Sequence, residues 1–224
     1  MCAASKSRNA TAGRNAGCGA RRRHIPEAAE SKWQSEIAIL GTWTIYEGWM
    51  KIIRVKVQID AEQIEREVED HGRAVAVLPY DPERHMALLA QQLRVPVLLA
   101  DCNTELLEAA AGMVDAEQPD ETAVREASEE LGVNLKLLEH VAGGWMSPGV
   151  STEFMDLYLA PYSVADRVSA GGGLASEHEA ISMLEMPIAE LWRLVERQQL
   201  KGLKTLALVL LLRAHHPYLF QVPI

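Results

Sequence analysis

The chain is poor in aromatics, with two Phe among 224 residues, and holds three cysteines (Cys2, Cys18, Cys102) that form no CxxC or Cys/His cluster. An odd cysteine count with two members near the N-terminus argues against a disulfide framework and a structural zinc site, and fits a reducing compartment. Long hydrophobic runs are missing as well. The longest, Leu206 to Leu212, is too short to span a bilayer, and no secretory apolar region follows the N-terminal charges, so no membrane association is expected.

Acids are absent from residues 1–26, which carry Lys6, Arg8, Arg14, Arg21, Arg22 and Arg23, leaving 16 basic against 31 acidic residues over 27–224. A body with that imbalance repels a phosphate backbone, which argues against nucleic-acid binding and favours a cation-dependent site. Residues 1–30 are too poor in large apolar side chains to offset the entropy of ordering and read as a disordered basic tail. Such a segment is either an organellar transit peptide or a dispensable extension; without amphipathic periodicity the second reading is favoured, giving a cytoplasmic protein with organellar import left open.

From Glu36 the pattern becomes β-rich. Residues 36–47 and 49–59 read as paired antiparallel strands, followed by a charged connection over 60–72. Strands at 73–80 and 85–94 flank the turn Asp81-Pro82-Glu83-Arg84 and predict a hairpin. Further strands are expected near 105–109, 135–145, 152–161 and 181–186, with helices at about 188–199 and 202–214. Strands and helices mix without regular alternation, which predicts an α+β fold around a mixed sheet.

Residues 112–133 concentrate the chemistry, with seven acids against Arg125. Pro119 and Asp120 start a helix of about 120–131 and Gly132 stops it. Ala123, Ala127 and Leu131 make a narrow apolar stripe, while Glu126, Glu129 and Glu130 share another face at i, i+3 and i+4. Three carboxylates at that spacing repel one another unless solvated or bridged by a cation. Oxygen-only donors favour Mg²⁺ or Mn²⁺ over zinc.

The full spacing resembles the Nudix box. Gly112, Glu117, Arg125, Glu126, Glu129, Glu130, Gly132 and Val133 match it, with two departures: four residues rather than five separate Gly112 from Glu117, and Ala127 replaces a larger aliphatic. Over about residues 36–214 the chain is similar to the Nudix subgroup that cleaves ADP-ribose and GDP-mannose, through Arg66-Glu67, Gln92-Leu93-Arg94, Glu108, Ala111-Gly112, Met146-Ser147-Pro148-Gly149 (followed by Val150 where Gly is usual) and Ala170-Gly171-Gly172-Gly173.

The resemblance implies an α/β/α sandwich with a mixed sheet, preceded by an N-terminal antiparallel strand pair used in a homodimer. Residues 1–30 are then the tail, 31–60 the dimerisation strands and 61–224 the hydrolase domain. It implies hydrolysis of the diphosphate in nucleoside diphosphate sugars with Mg²⁺, Mn²⁺ being possible; the alternative is a catalytically weak nucleotide-sensing module. It places metal ligands at Glu126, Glu130, Glu179 and the Ala111 carbonyl, with Glu129 as a further ligand or supporting acid. Arg125 orients the carboxylates, and Glu177 is the general base, with His178 beside it as another candidate. Arg66 and Arg94 would contact phosphate or sugar, Trp49 would stack on the nucleobase, and Glu153 would touch sugar hydroxyls.

Overall fold

The computed structural model describes residues 36–101, 106–173 and 181–221. The basic tail lies outside them.

Two sheets organise the chain. The first is antiparallel, β1 (Ile37–Glu47), β2 (Lys51–Ile59) and β3 (Glu62–Glu69), in that order. β1 and β2 are the expected pair. β3 replaces the connection expected over 60–72, so this outer sheet does not stop at residue 60 but runs to Glu69. Its charges concealed it, yet they are what its neighbour selects: Lys56 stands opposite Glu65 and Arg54 opposite Glu67, the latter pair in contact at 2.7 Å, while Ile64 faces Val57 and Val68 faces Ile53. Asp60, at φ 51°, supplies the left-handed residue of the tight turn between β2 and β3.

The second sheet has seven strands. β4 (Arg73–Asp81) lies at its centre, between β5 (Met86–Gln92) and β9 (Phe154–Pro161). β8 (Glu139–Trp145) and β10 (Ile181–Pro187) form the ends of this path, β6 (Leu106–Glu108) adds to β5, and β7 (Ala110–Met113) adds to β4. β4 and β9 run parallel and the other pairs antiparallel, giving the expected mixed sheet. The β4–β5 hairpin turns where Pro82 predicts, and the Asp81 carboxylate accepts the N–H groups of Glu83 and Arg84.

β4 is buried on both faces, and its alternation builds two cores. Ala74, Ala76, Leu78 and Tyr80 pack with α3 (Ile188–Glu196) and α4 (Leu203–His215). Val75 and Val77 pack with Ala123, Ala127 and Leu131 of α2 (Pro119–Leu131). The result is the anticipated sandwich of helix, sheet and helices.

Two further elements depart from the sequence reading. The strand expected over 85–94 ends at Gln92, and α1 (Val95–Asp101) follows, a helix with no buried residue and hence no periodicity to betray it. The short strand near 105–109 is two strands: the chain leaves β5 at Glu108 and joins β4 from Ala110, which brings the Ala111-Gly112 segment to the centre of the sheet. Among the described residues, no helix is long and apolar enough to cross a membrane.

Candidate active site

β7 and α2 are packed together, and their contact defines the site. α2 begins with a reciprocal capping box in which Gln118 and Glu121 satisfy each other's backbone donors, with Pro119 in the first turn, and ends with Gly132 in the left-handed region at φ 66°. Between those fixed ends, Ala123, Ala127 and Leu131 face the sheet at zero exposure. The small alanines let the helix approach β7 closely. At Gly112 a Cβ would lie 1.9 Å from Glu126 Oε1, so only glycine leaves room for that carboxylate. The larger aliphatic replaced by Ala127 would occupy space against the sheet, in the same apolar layer.

Arg125 gathers the acids. Its guanidinium lies 2.8 Å from Glu126 Oε1, 2.9 Å from Glu129 Oε2 and 3.2 Å from Glu117 Oε2. Desolvation works against its charge, but the Glu126 carboxylate and the hydrogen bonds to Glu117 and Glu129 more than offset this and raise its pKa. Arg125 therefore stays cationic and holds the like charges of Glu126 and Glu129, at i and i+3, together on one turn. Glu130, on the inner side of the helix, is 2% exposed.

A cavity of about 490 Å³ opens in front of this contact, lined by Ala111, Gly112, Met113, Asp115, Glu117 and Glu126 among others. Its donors are carboxylate and carbonyl oxygens, the set that suits a hard divalent cation. Among the described residues, no three His, Cys, Asp or Glu side chains already converge on one point. Arg125 draws Glu126 and Glu129 onto a single nitrogen, and an entering cation would compete with it for their oxygens. The close seat of the Glu126 carboxylate against Gly112 and the oxygen donors both fit such an ion.

The other expected site residues fall in several places. Trp49 is 96% exposed and lines a second cavity of about 330 Å³ with Gly48, Lys51, Glu69, His71 and Met113. Met113 lines both cavities, so the two adjoin. Arg66 lies on β3 opposite Val55, with its guanidinium on the Glu65 carbonyl, and lines neither cavity. Arg94 donates from Nε to Glu108 at 2.6 Å. Glu153 follows Ser151, whose hydroxyl accepts its N–H, and it too lines neither cavity. Glu177, His178 and Glu179 lie outside the described residues.

Sequence reasoning gave no role to the buried ion group beneath β7. Glu108, 5% exposed, is held by Arg94 and, at 3.0 Å, by Lys204 of α4. Desolvation would raise Glu108, but the charges of Lys204 and Arg94 and their hydrogen bonds prevail and lower its pKa. Thr205 Oγ1 also accepts the Ala109 N–H at 2.9 Å. α4 thus grips the two residues that lead into β7. No local pattern announces a contact across 96 residues; the one signal was Glu108 itself, an acid bordered by the apolar residues Leu107 and Ala109.

Comparison with known proteins agrees with this arrangement. A family model described as the NUDIX domain matches residues 70–206, beginning directly after β3. A GDP-mannose pyrophosphatase of Cronobacter sakazakii is 37% identical over 145 residues, 64% of this chain and 75% of the relative. One of Citrobacter koseri is 31% identical over 151 residues, 67% of this chain and 78% of the relative. A crystal structure described as an ADP compounds hydrolase covers 84% of this chain and 97% of its own with a TM-score of 0.67; at 19% identity it is a likeness of fold.

Proposed function

The chain belongs to the NUDIX family, and from that premise we propose that it is a metal-dependent pyrophosphatase that hydrolyses the diphosphate linkage of nucleoside diphosphate sugars. The observation that carries this reading is the packing of Gly112 against Glu126, which sets Glu126 and Arg125 of α2, with Glu117 and Asp115 before it, around a cavity of about 490 Å³.

A diphosphate approaches several carboxylates only if cations lie between them. We assign Glu126, Glu130 and the Ala111 carbonyl as the groups that hold Mg²⁺, or Mn²⁺ in its place, with Glu129 supporting and Glu179 as an added ligand. Bound there, the ion neutralises phosphate charge and acidifies its water. Arg125 keeps Glu126 and Glu129 oriented toward one another. Glu177 is assigned as the base that takes the proton from water. The water oxygen bonds to phosphorus, the bridging P–O bond breaks, and a nucleoside monophosphate and a sugar phosphate leave.

The second cavity suits the nucleoside end, with Trp49 as stacking surface, since it adjoins the first through Met113. Arg94 suits a phosphate oxygen, because its contact to Glu108 is made through Nε and its side chain is 38% exposed. Arg66 and Glu153 are kept as contacts to phosphate or sugar. We further propose a homodimer built on the outer sheet, with catalysis assigned to the residues after it. Its support is β1, on which Ile37, Ile39, Leu40, Trp43, Ile45 and Tyr46 are all exposed.

The test is a panel of GDP-mannose, ADP-ribose and ADP-sugars with Mg²⁺ or Mn²⁺ and product identification. GMP release from GDP-mannose is the expected result, and AMP release from ADP-ribose would move the assignment to the adenine nucleotide. A protein inactive across the panel sinks it.

A further inference from the structure

An α-helix leaves its last carbonyls without partners in the helix and gathers partial negative charge there. On α2 that end carries Glu129 and Glu130, so two carboxylates sit where the helix favours them least. Gly132 donates its N–H toward the carbonyls of Ala127 and Ser128. The next two carbonyls, those of Glu129 and Glu130, are met from outside: Gly173 donates to the first at 3.1 Å and Gly172 to the second at 3.0 Å.

This second run of backbone has an unusual form. Gly171, Gly172 and Gly173 have φ of +70°, +120° and +74°, a sequence of conformations that side chains oppose. A Cβ on Gly171 would lie 2.4 Å from the Glu130 carbonyl oxygen. The run is itself anchored, since Ser169 Oγ accepts the Gly171 N–H at 3.1 Å and Val168 donates to the Gly132 carbonyl at 2.8 Å.

We propose that Gly171, Gly172 and Gly173 are positioning residues that clasp the end of α2 and so hold Glu129 and Glu130 for cation binding. Their N–H groups offset the partial charge of the two carbonyls belonging to the glutamates themselves, and they fix the last turn against fraying. The proposal rests on the metal-dependent reading above.

The decisive variant is Gly172→Ala. Among the described residues its Cβ would meet nothing nearer than the Ile181 carbonyl oxygen at 3.7 Å, so the change acts through the strained backbone conformation rather than through a clash. Gly171→Ala adds the clash with α2, and Gly144→Ala, where a Cβ meets nothing within 4 Å among the described residues, is the control. The measurement is Mn²⁺ binding by electron paramagnetic resonance without substrate, alongside thermal unfolding and the Mg²⁺ concentration giving half-maximal turnover. Gly172→Ala is expected to weaken Mn²⁺ binding about tenfold, as changes in groups supporting metal ligands do. It should raise the Mg²⁺ requirement by the same factor and leave KM at saturating Mg²⁺ within about twofold. A folded Gly172→Ala protein that binds Mn²⁺ as tightly as wild type or the control overturns the clasp, and it decides the matter alone if Gly171→Ala does not fold. Wild-type protein that binds Mn²⁺ yet cleaves no nucleotide sugar removes the substrate reading and leaves the clasp; wild type that binds no Mn²⁺ removes both.

Discussion

The two sheets use similar residues to opposite ends. β4 in the central sheet and β1 in the outer sheet are both rich in β-branched and aliphatic side chains, yet β4 is buried from Ala74 to Asp81 while β1 is exposed along nearly its whole length. Helices cover both faces of β4. Nothing in this chain covers β1 among the described residues, and three strands cannot bury their own apolar side chains. The difference teaches that strand propensity and burial are separate properties. In the central sheet burial is completed within the chain; in the outer sheet it is not, and the proposed homodimer would complete it.

That division can be broken at four points. The largest effect belongs to the catalytic side: Glu130→Gln should lower turnover on the nucleotide sugar by on the order of 100-fold or more, with the sedimentation coefficient unchanged. A variant retaining wild-type turnover would remove Glu130 from the site. Next, Leu78→Ala in the central sheet should cost about 2–5 kcal/mol in urea unfolding, because a fully buried side chain leaves a cavity. A loss below 1 kcal/mol would show that this core repacks freely.

The outer sheet should behave differently. Ile39→Ser combined with Trp43→Ser should weaken dimerisation at least about tenfold, or ~1.4 kcal/mol, by sedimentation equilibrium. A wild-type protein that stays monomeric at high concentration would undo the assembly half of the contrast. Ion pairs sharpen it last. Glu185 of β10 is held first by hydrogen bonds from Arg84, against desolvation and with help from Tyr162, and its pKa falls from an ordinary 4.5 to about 2. Its folded pKa is depressed, so its contribution is complete above about 4.5 and is lost as pH falls toward about 2. Glu185→Gln should therefore cost on the order of 1 kcal/mol at pH 6 once screening at the exposed Arg84 is allowed for. That deficit should shrink as the pH is lowered. Glu67→Gln, whose partner Arg54 is exposed on the outer sheet, should shift the same unfolding curve by less than about 0.5 kcal/mol. Equal effects would mean the two sheets are bound by the same forces.

What the sequence made legible was whatever is encoded locally. α2 was readable to within one residue, since Pro119 and Gly132 mark its ends and the alanine stripe sets its face. The hairpin at Pro82 was readable for the same reason. β3 was hidden because its charges report a neighbour, Arg54 and Lys56 of β2, rather than solvent. α1 carries no buried face and so no period. At the site, Glu126, Glu129, Glu130 and Arg125 followed from spacing, but the distances that make Arg125 an organiser did not. Nor did the assembly of Asp156 with Arg73 and His140, in which partners from two flanking strands bind one buried carboxylate. Such groups depend on register between distant strands, which no single stretch of residues contains.

The grip of Lys204 and Thr205 on Glu108 and Ala109 sets an order of events during synthesis. Glu108 and Ala109 leave the ribosome long before the helix that holds them, so a nascent chain stopped before residue 204 carries every glutamate of α2 and lacks both contacts that α4 makes to the entrance of β7. The entrance to β7 is then anchored only as α4 docks, and a chain truncated before it would carry the acidic helix with that entrance unheld.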